Sequence, residues 1–200
     1  MSLLSKFLHR VVSNPWAFDW LQNRMGLRQH WPRLAPYLAQ TGGQIVLDIG
    51  AGTGNYTSLL PQSATYLGLD IDPKKLQAFE AKWPFGLAIV GDATRICLKD
   101  KSVDYALCVA LSHHLLDSQL SLLFGELARV VRQGLIFLDA VEYKESKISN
   151  LLWKYDRGSY PRSMEALCGA IERWFEIEEI ERYAIYHHYI LCMGKPRHRV

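Results

Sequence analysis

From residue 44 onward the chain alternates short apolar runs with stretches whose apolar residues recur at helical spacing. Gln44–Ile49, Thr65–Asp70, Phe85–Gly91, Val103–Ala110 and Gly134–Ala140 are rich in Val, Ile, Leu and aromatic residues and too unbroken to be apolar on one face only, so each reads as a buried strand. Between them, Asp72-Pro73 opens a helix through Leu76 and Phe79, and Leu120, Leu123, Leu127 and Val131 form the buried stripe of another. Strand–helix–strand alternation predicts a parallel sheet with right-handed crossovers and helices on both faces. The alternation stops after residue 141. Two helices are expected over Ile148–Tyr155 and Ser163–Phe175, then two strands, Phe175–Ile185 and His188–Gly194, whose tight turn makes them antiparallel.

Residues 1–43 read differently, as short helices. Leu3, Leu4, Phe7, Leu8, Val11 and Val12 share one face, Asn14-Pro15 starts a second helix carrying Trp16, Phe18, Trp20 and Leu21 up to Gly26, and a third carries Leu34, Tyr37 and Leu38 up to Gly42-Gly43. The first helix is expected to pack on the body of the protein, since its polar face holds only Lys6, His9 and Arg10.

Composition narrows the partners. With 200 residues, 49% hydrophobic, the chain suits a single domain with a sizeable core. Its net charge of +3 lacks the concentrated basic face expected of a nucleic-acid binder. Cys97, Cys108, Cys168 and Cys192 lie far apart, with neither zinc-finger nor disulfide-scaffold spacing, so no metal and a reducing cytoplasm are expected. His187 and His188 fall at the expected hairpin turn and are expected to face solvent. Basic residues interrupt the first apolar stretch, and no transmembrane segment is expected.

The candidate chemistry lies at Val46-Leu47-Asp48-Ile49-Gly50-Ala51-Gly52-Thr53-Gly54-Asn55, a glycine-rich turn at the carboxyl end of the first parallel strand, where open α/β sheets bind ligands. A dinucleotide fingerprint starting at Gly50 would need glycine at position 55, which is Asn55. This disfavours a nicotinamide-dependent oxidoreductase. The D-x-G-x-G-x-G run resembles motif I of the class I S-adenosylmethionine-dependent methyltransferases of the small-molecule, type 11-like kind, and further segments match in order. Tyr66-Leu67-Gly68-Leu69-Asp70-Ile71-Asp72 is similar to that family's second strand, Val90-Gly91-Asp92-Ala93 to the end of its third, and Val103–Ala110 followed by Leu111-Ser112-His113-His114-Leu115 to its fourth strand and methyl-transfer loop.

The resemblance implies a Rossmann-like three-layer α/β/α sandwich, with a mostly parallel seven-stranded sheet of order 3-2-1-4-5-7-6 and one antiparallel strand. It implies S-adenosylmethionine as cofactor, leaving S-adenosylhomocysteine, held by Asp48, Gly50, Ala51, Gly52, Gly54, Asp70, Ile71, Asp92, Ala93 and Val109. Asp70 would take the ribose hydroxyls, since a carboxylate accepts from both, while Asp72 caps the next helix. His113 or His114 is the candidate to take a proton from the acceptor or to orient it, the alternative being loop histidines packed on the core. Residues 44–140 would form the cofactor-binding core, 1–43 an N-terminal helical cap, 141–174 a helical insertion on the substrate side and 175–194 the closing strands. Asp156, Arg157, Tyr160 and Arg162 are candidates to clamp a polar, small-molecule acceptor. A non-catalytic module that binds the cofactor is the remaining alternative. The chain departs from the pattern at Arg132-Gln133-Gly134-Leu135, where many relatives have Lys-Pro-Gly-Gly, and a variant turn is expected there.

Overall fold

The computed structural model describes residues 19–20, 23–24, 26–155 and 160–197. The expectations for the first helix, for Trp16, Phe18 and Leu21, and for Asp156 and Arg157 lie outside these residues. Seven strands form one sheet in the order β3-β2-β1-β4-β5-β7-β6: β1 (Ile45–Ile49), β2 (Thr65–Asp70), β3 (Leu87–Val90), β4 (Val103–Val109), β5 (Val131–Val141), β6 (Phe175–Ala184) and β7 (His188–Pro196). β1 pairs in parallel with β2 and β4, β2 with β3, and β4 with β5, whereas β7 runs antiparallel between β5 and β6. The expected order is the observed one. The hairpin closes back after three residues, Ile185 to His187, too few for a crossover to a parallel neighbour.

Two apolar layers flank the sheet. On one face Leu120, Leu123, Phe124, Leu127 and Val130 of α3 (Asp117–Val130) and Leu167 and Ile171 of α5 (Met164–Glu172) bury against Leu135, Phe137 and Val141 of β5. On the other, Leu34 and Leu38 of α1 (Trp31–Ala39) and Leu76 and Phe79 of α2 (Pro73–Lys82) cover Val46, Tyr66, Ile136 and Leu138. Each such side chain, fully removed from water, stabilises the fold by about 1.5–3 kcal/mol before entropy is charged against it. α2 starts as its sequence predicts: the Asp72 carboxylate accepts from Lys74 N–H at 2.9 Å, and Pro73 occupies the first turn. Phe79 needs a close approach of helix and sheet, and a Cβ at Gly68 would stand 2.7 Å from its ring.

The expected turn at Arg132-Gln133-Gly134-Leu135 is corrected. α3 ends at Val130 and β5 begins at Val131, so these four residues belong to the strand. Their own bonds explain it: Arg132 pairs with Asp104 at 3.1 Å, Gln133 reaches Asp104 and Gln44, and a register shift between Val103 and Tyr105 absorbs the early start. α4 (Lys147–Tyr155) and α5 follow β5, as expected. None of the helices among the described residues is long and apolar enough to cross a membrane.

Candidate active site

The turn after β1 is built by backbone geometry. Gly50, Gly52 and Gly54 have φ of 74°, 55° and 72°, the left-handed region that side-chain-bearing residues avoid. Gly50 and Ala51 both donate to the Leu69 carbonyl, at 2.8 and 3.0 Å, which folds the turn back over the end of β2. A Cβ on Gly50 would lie 3.1 Å from Leu111, so the loop after β4 closes on the same turn. Gly54 is held by packing, because its Cβ would meet Phe79 at 2.7 Å.

The Asp70 carboxylate bridges this turn and its own strand end. Oδ2 accepts from Gly52 N–H and Oδ1 from Asp72 N–H, both at 2.8 Å. Each carboxylate oxygen has a second lone pair, so both retain capacity for a ligand's hydroxyls. Asp48 lies deeper and accepts a hydrogen bond from the Tyr66 hydroxyl. Burial is the main reason its carboxyl is pushed up to about 7; the Tyr66 bond opposes that rise and the nearby Asp70 charge adds to it. Ile71 is 74% exposed beside Asp70, an apolar side chain left open at the strand ends. Asp92 is exposed after β3, its acidity increased by the backbone N–H and hydroxyl of Thr94, with Ala93 adjacent. Val109 is buried at the end of β4. The next residue, Ala110, has φ of 51°, a strained conformation for a residue with a Cβ, at the carboxyl end of β4.

The second cluster sits at the ends of β4, β5 and β7. His113 Nδ1 lies 2.6 Å from Asp139 Oδ1, and the His113 side chain is only 11% exposed. Asp139 is fully buried and also accepts from Ser112 N–H at 2.8 Å, the Ser112 hydroxyl and Ala140 N–H at 2.8 Å. Burial alone would raise this carboxyl. The charge of His113 and the hydrogen bonds from His113, Ser112 and Ala140 together overcome burial and hold it below the ordinary carboxylate range. The Asp139 carboxylate thereby orients the His113 ring through Nδ1.

Rings continue outward from His113. His114 packs on it with centroids 4.1 Å apart, Trp153 of α4 stands edge-on at 5.6 Å, and Trp153 meets His187 at 4.6 Å. His187 Nδ1 is 2.8 Å from the buried Ser149 hydroxyl, and His188 stacks on Tyr143 at 4.0 Å. The expectation that His187 and His188 face solvent is therefore corrected. β7 runs antiparallel to β5, which returns the hairpin turn to the carboxyl end of β5, and α4 packs over it.

Tyr160 is 43% exposed and its N–H donates to the His113 carbonyl at 2.6 Å, so it lies at this cluster. Arg162 is corrected as an acceptor clamp. Its guanidinium donates to the Ser112 and Leu115 carbonyls at 2.9 and 2.5 Å and pairs with Asp117 at 2.8 Å, bracing the loop that carries His113. Asp139, Ser149 and Trp153 were not singled out as site residues from the sequence. Asp139 left one signal, a carboxylate inside the apolar run Leu135–Val141, which demands a partner. Ser149 left none, and Trp153 reads from the sequence as one of the substrate-side aromatic residues that fill helix–sheet interfaces.

Residues 47–138 match the family model described as a methyltransferase domain. Over that stretch, 92 of the 200 residues, the chain is similar to a methyltransferase domain. A tRNA (carboxymethyluridine(34)-5-O)-methyltransferase of Arabidopsis thaliana is 31% identical over 127 residues, 62% of this chain but only 31% of that protein. A demethylmenaquinone methyltransferase of Tropheryma whipplei is 29% identical over 171 residues, 76% of this chain and 69% of that one. The chain spans less than a third of the Arabidopsis relative's length. Among solved structures, magnesium protoporphyrin IX methyltransferase from Synechocystis PCC 6803, with bound S-adenosylhomocysteine, superposes with a TM-score of 0.76. That match covers 96% of this chain and 100% of the other at 16% identity, a likeness of fold. The matched stretch contains the glycine turn at positions 50–54 and the carboxyl ends of β2, β3 and β4.

Proposed function

We propose that this chain transfers a methyl group from S-adenosylmethionine to a small-molecule acceptor. The observation that carries this reading is the Asp70 carboxylate bonded to Gly52 N–H at 2.8 Å, within a turn whose three glycines have positive φ. The residues present fit the cofactor. The turn carries no side chain at Gly50, Gly52 and Gly54, Asp70 retains acceptor capacity for the ribose hydroxyls, and Ile71, Asp92 and Ala93, just after β2 and β3, would contact the adenine ring. Gly50, Ala51, Gly52 and Gly54 would line the remainder, with Val109 behind them and Asp48 supporting the turn from beneath.

Bound there, S-adenosylmethionine supplies a sulfonium-activated methyl group. The chain's part is to bind, orient and exclude water. Leu111, closing on Gly50, shields the turn. His113, held by Asp139, is placed to orient the acceptor or receive its proton, with His114 and Tyr160 beside it. Asp156 and Arg157 remain candidates to contact the acceptor from the adjoining segment.

Similarity to the Arabidopsis enzyme favours a second reading, a tRNA acceptor. The net charge of +3 favours the small molecule. Thermal-shift titration of the purified chain with S-adenosylhomocysteine and with NAD separates the cofactors: stabilisation by the former alone is expected, and stabilisation by NAD alone overturns the reading. Transfer of radiolabelled methyl to total tRNA, but to no small-molecule fraction, would replace the first acceptor class by the second.

A further inference from the structure

The backbone of the glycine turn is tied to the sheet. Gly50 and Ala51 donate to the Leu69 carbonyl, Gly52 donates to Asp70, and Gly54 donates to the Ala51 carbonyl at 2.9 Å. Thr53, the one polar side chain between Gly50 and Gly54, is tied elsewhere. It is fully buried, and its hydroxyl donates to the Asp19 carboxylate, 34 residues earlier in the chain. The other Asp19 oxygen accepts from Nζ of Lys82, the last residue of α2, at 2.5 Å. One carboxylate, its side chain 20% exposed, thus joins the turn and the end of α2 to a segment that lies outside the sheet.

The same segment reaches the acceptor side. Asn23 Nδ2 donates to the Asp19 carbonyl at 2.9 Å, Gly26 N–H donates to the Asn23 carbonyl at 3.3 Å, and Arg28 Nε donates to the Asn23 side-chain oxygen at 3.2 Å. Gly26, at φ 90°, lies against the β6–β7 hairpin: a Cβ there would stand 3.2 Å from Ile185 and 3.4 Å from Tyr186. Asp19, Asn23 and Gly26 therefore lead from the glycine turn to the hairpin tip, where His187 meets Trp153. Glycine has more backbone freedom to lose than any other residue, so a turn with three of them binds a ligand poorly unless it is fixed beforehand. The sheet fixes the turn through its backbone. Asp19 fixes it through the side chain between Gly52 and Gly54.

We propose that Asp19 is a positioning residue for the cofactor turn, holding Thr53 from a strap whose far end, Gly26, rests on the acceptor-side hairpin. This rests on the methyltransferase reading above and deepens it. The Asp19 charge is paired with Lys82, so it acts through the Thr53 hydroxyl rather than by attracting the ligand. Coupling between sites is reciprocal: a shift of the strap at the hairpin changes cofactor affinity at the turn, and a bound cofactor steadies the strap.

The test is calorimetric titration of S-adenosylhomocysteine into folded variants, with denaturant unfolding of the cofactor-free proteins as the check of folding. Asp19→Ala and Thr53→Val are each expected to weaken binding about tenfold, and the double variant by about the same tenfold, because all three lose one bond. Asp19→Asn keeps an acceptor for the Thr53 hydroxyl and is expected to lose no more than about threefold. Gly26→Ala, at the far end of the strap, is expected to lose about threefold alone and nothing further in the Asp19→Ala background. Wild-type affinity in Asp19→Ala, or losses that multiply to about a hundredfold in the double variant, would overturn the proposal. So would an equal loss in Asp19→Asn and Asp19→Ala, the mark of a charge attracting the ligand, or wild-type affinity in Gly26→Ala. If Thr53→Val does not fold, the ranking of Asp19→Ala against Asp19→Asn decides. Failure of the wild-type protein to bind S-adenosylhomocysteine is a different result, which brings down the methyltransferase reading itself and this proposal with it.

Discussion

The ends of β1, β2 and β3 and the ends of β4, β5 and β7 carry the two halves of the proposed site, and they are made in different ways. In the first half the decisive groups are backbone: three glycines with positive φ, N–H groups of Gly50, Ala51 and Gly52, and one carboxylate, Asp70, that ties the turn to the next strand. In the second half they are side chains at positions 113, 139, 149, 153 and 187, brought together only because β7 returns antiparallel to β5 and α4 packs over the turn. A backbone cradle can be shared by many proteins that bind one cofactor. A side-chain cluster can be changed residue by residue, and in the proposed function that is where the acceptor would be chosen.

The halves also answer to pH with opposite signs. Asp48, beneath the glycine turn, has its folded pKa raised to about 7 by burial, so its contribution to stability is complete below the unfolded carboxylate value of about 3.9 and is lost as pH rises through 7. Elsewhere, at the start of α1, His30 hydrogen-bonds Tyr183 and packs edge-on against Tyr189, and burial together with Arg33 lowers it to about 4. Its contribution is complete above the unfolded value of about 6.5 and is lost as pH falls toward 4. Asp139, lowered as well, loses its share in the same acid direction.

The largest expected effect follows from His30. Denaturant unfolding should show about 3 kcal/mol lost between pH 6.5 and pH 4 through this one group, and His30→Gln should flatten that slope. In the cofactor-free protein at pH 8, Asp48→Asn should raise Tm, the reverse of what removing a stabilising carboxylate would do. A sharper break between the halves is Asp70→Ala, which should weaken S-adenosylhomocysteine binding by about 10- to 100-fold in calorimetry, the scale of a charged hydrogen bond. Gly54→Ala places a Cβ 2.7 Å from Phe79 on a residue at φ 72° and should cost about 1–3 kcal/mol in denaturant unfolding. The smallest effect is Asp72→Ala, about 1 kcal/mol from the lost cap of α2, with cofactor affinity unchanged.

The same division explains what the amino-acid order revealed. The strands, the glycine turn and the Asp72 cap are local in the chain, and hydrophobic period and glycine spacing report them directly; the strand order and Asp70, whose partner Gly52 lies 18 residues away, follow only from the family resemblance. The turn expected at Arg132 was missed because its fate depends on Asp104 and Gln44, residues distant in sequence. His113 was visible only as one of a histidine pair, and it is Asp139, 26 residues later, that distinguishes it from His114. His187 reads as solvent-facing because a hairpin tip is usually wet; Ser149 and Trp153, which the sequence does not connect to that tip, reverse that. Arg162 read as a clamp for an acceptor because charge density is visible in sequence, whereas the carbonyls of Ser112 and Leu115 that consume it are not.

The most direct test of the two-part site is calorimetric titration of S-adenosylhomocysteine into wild-type, Asp70→Ala and Asp139→Asn proteins. Saturable binding to wild type, weakened in Asp70→Ala and preserved in Asp139→Asn, is the predicted result. No binding to wild type, or equal weakening in both variants, would contradict the account.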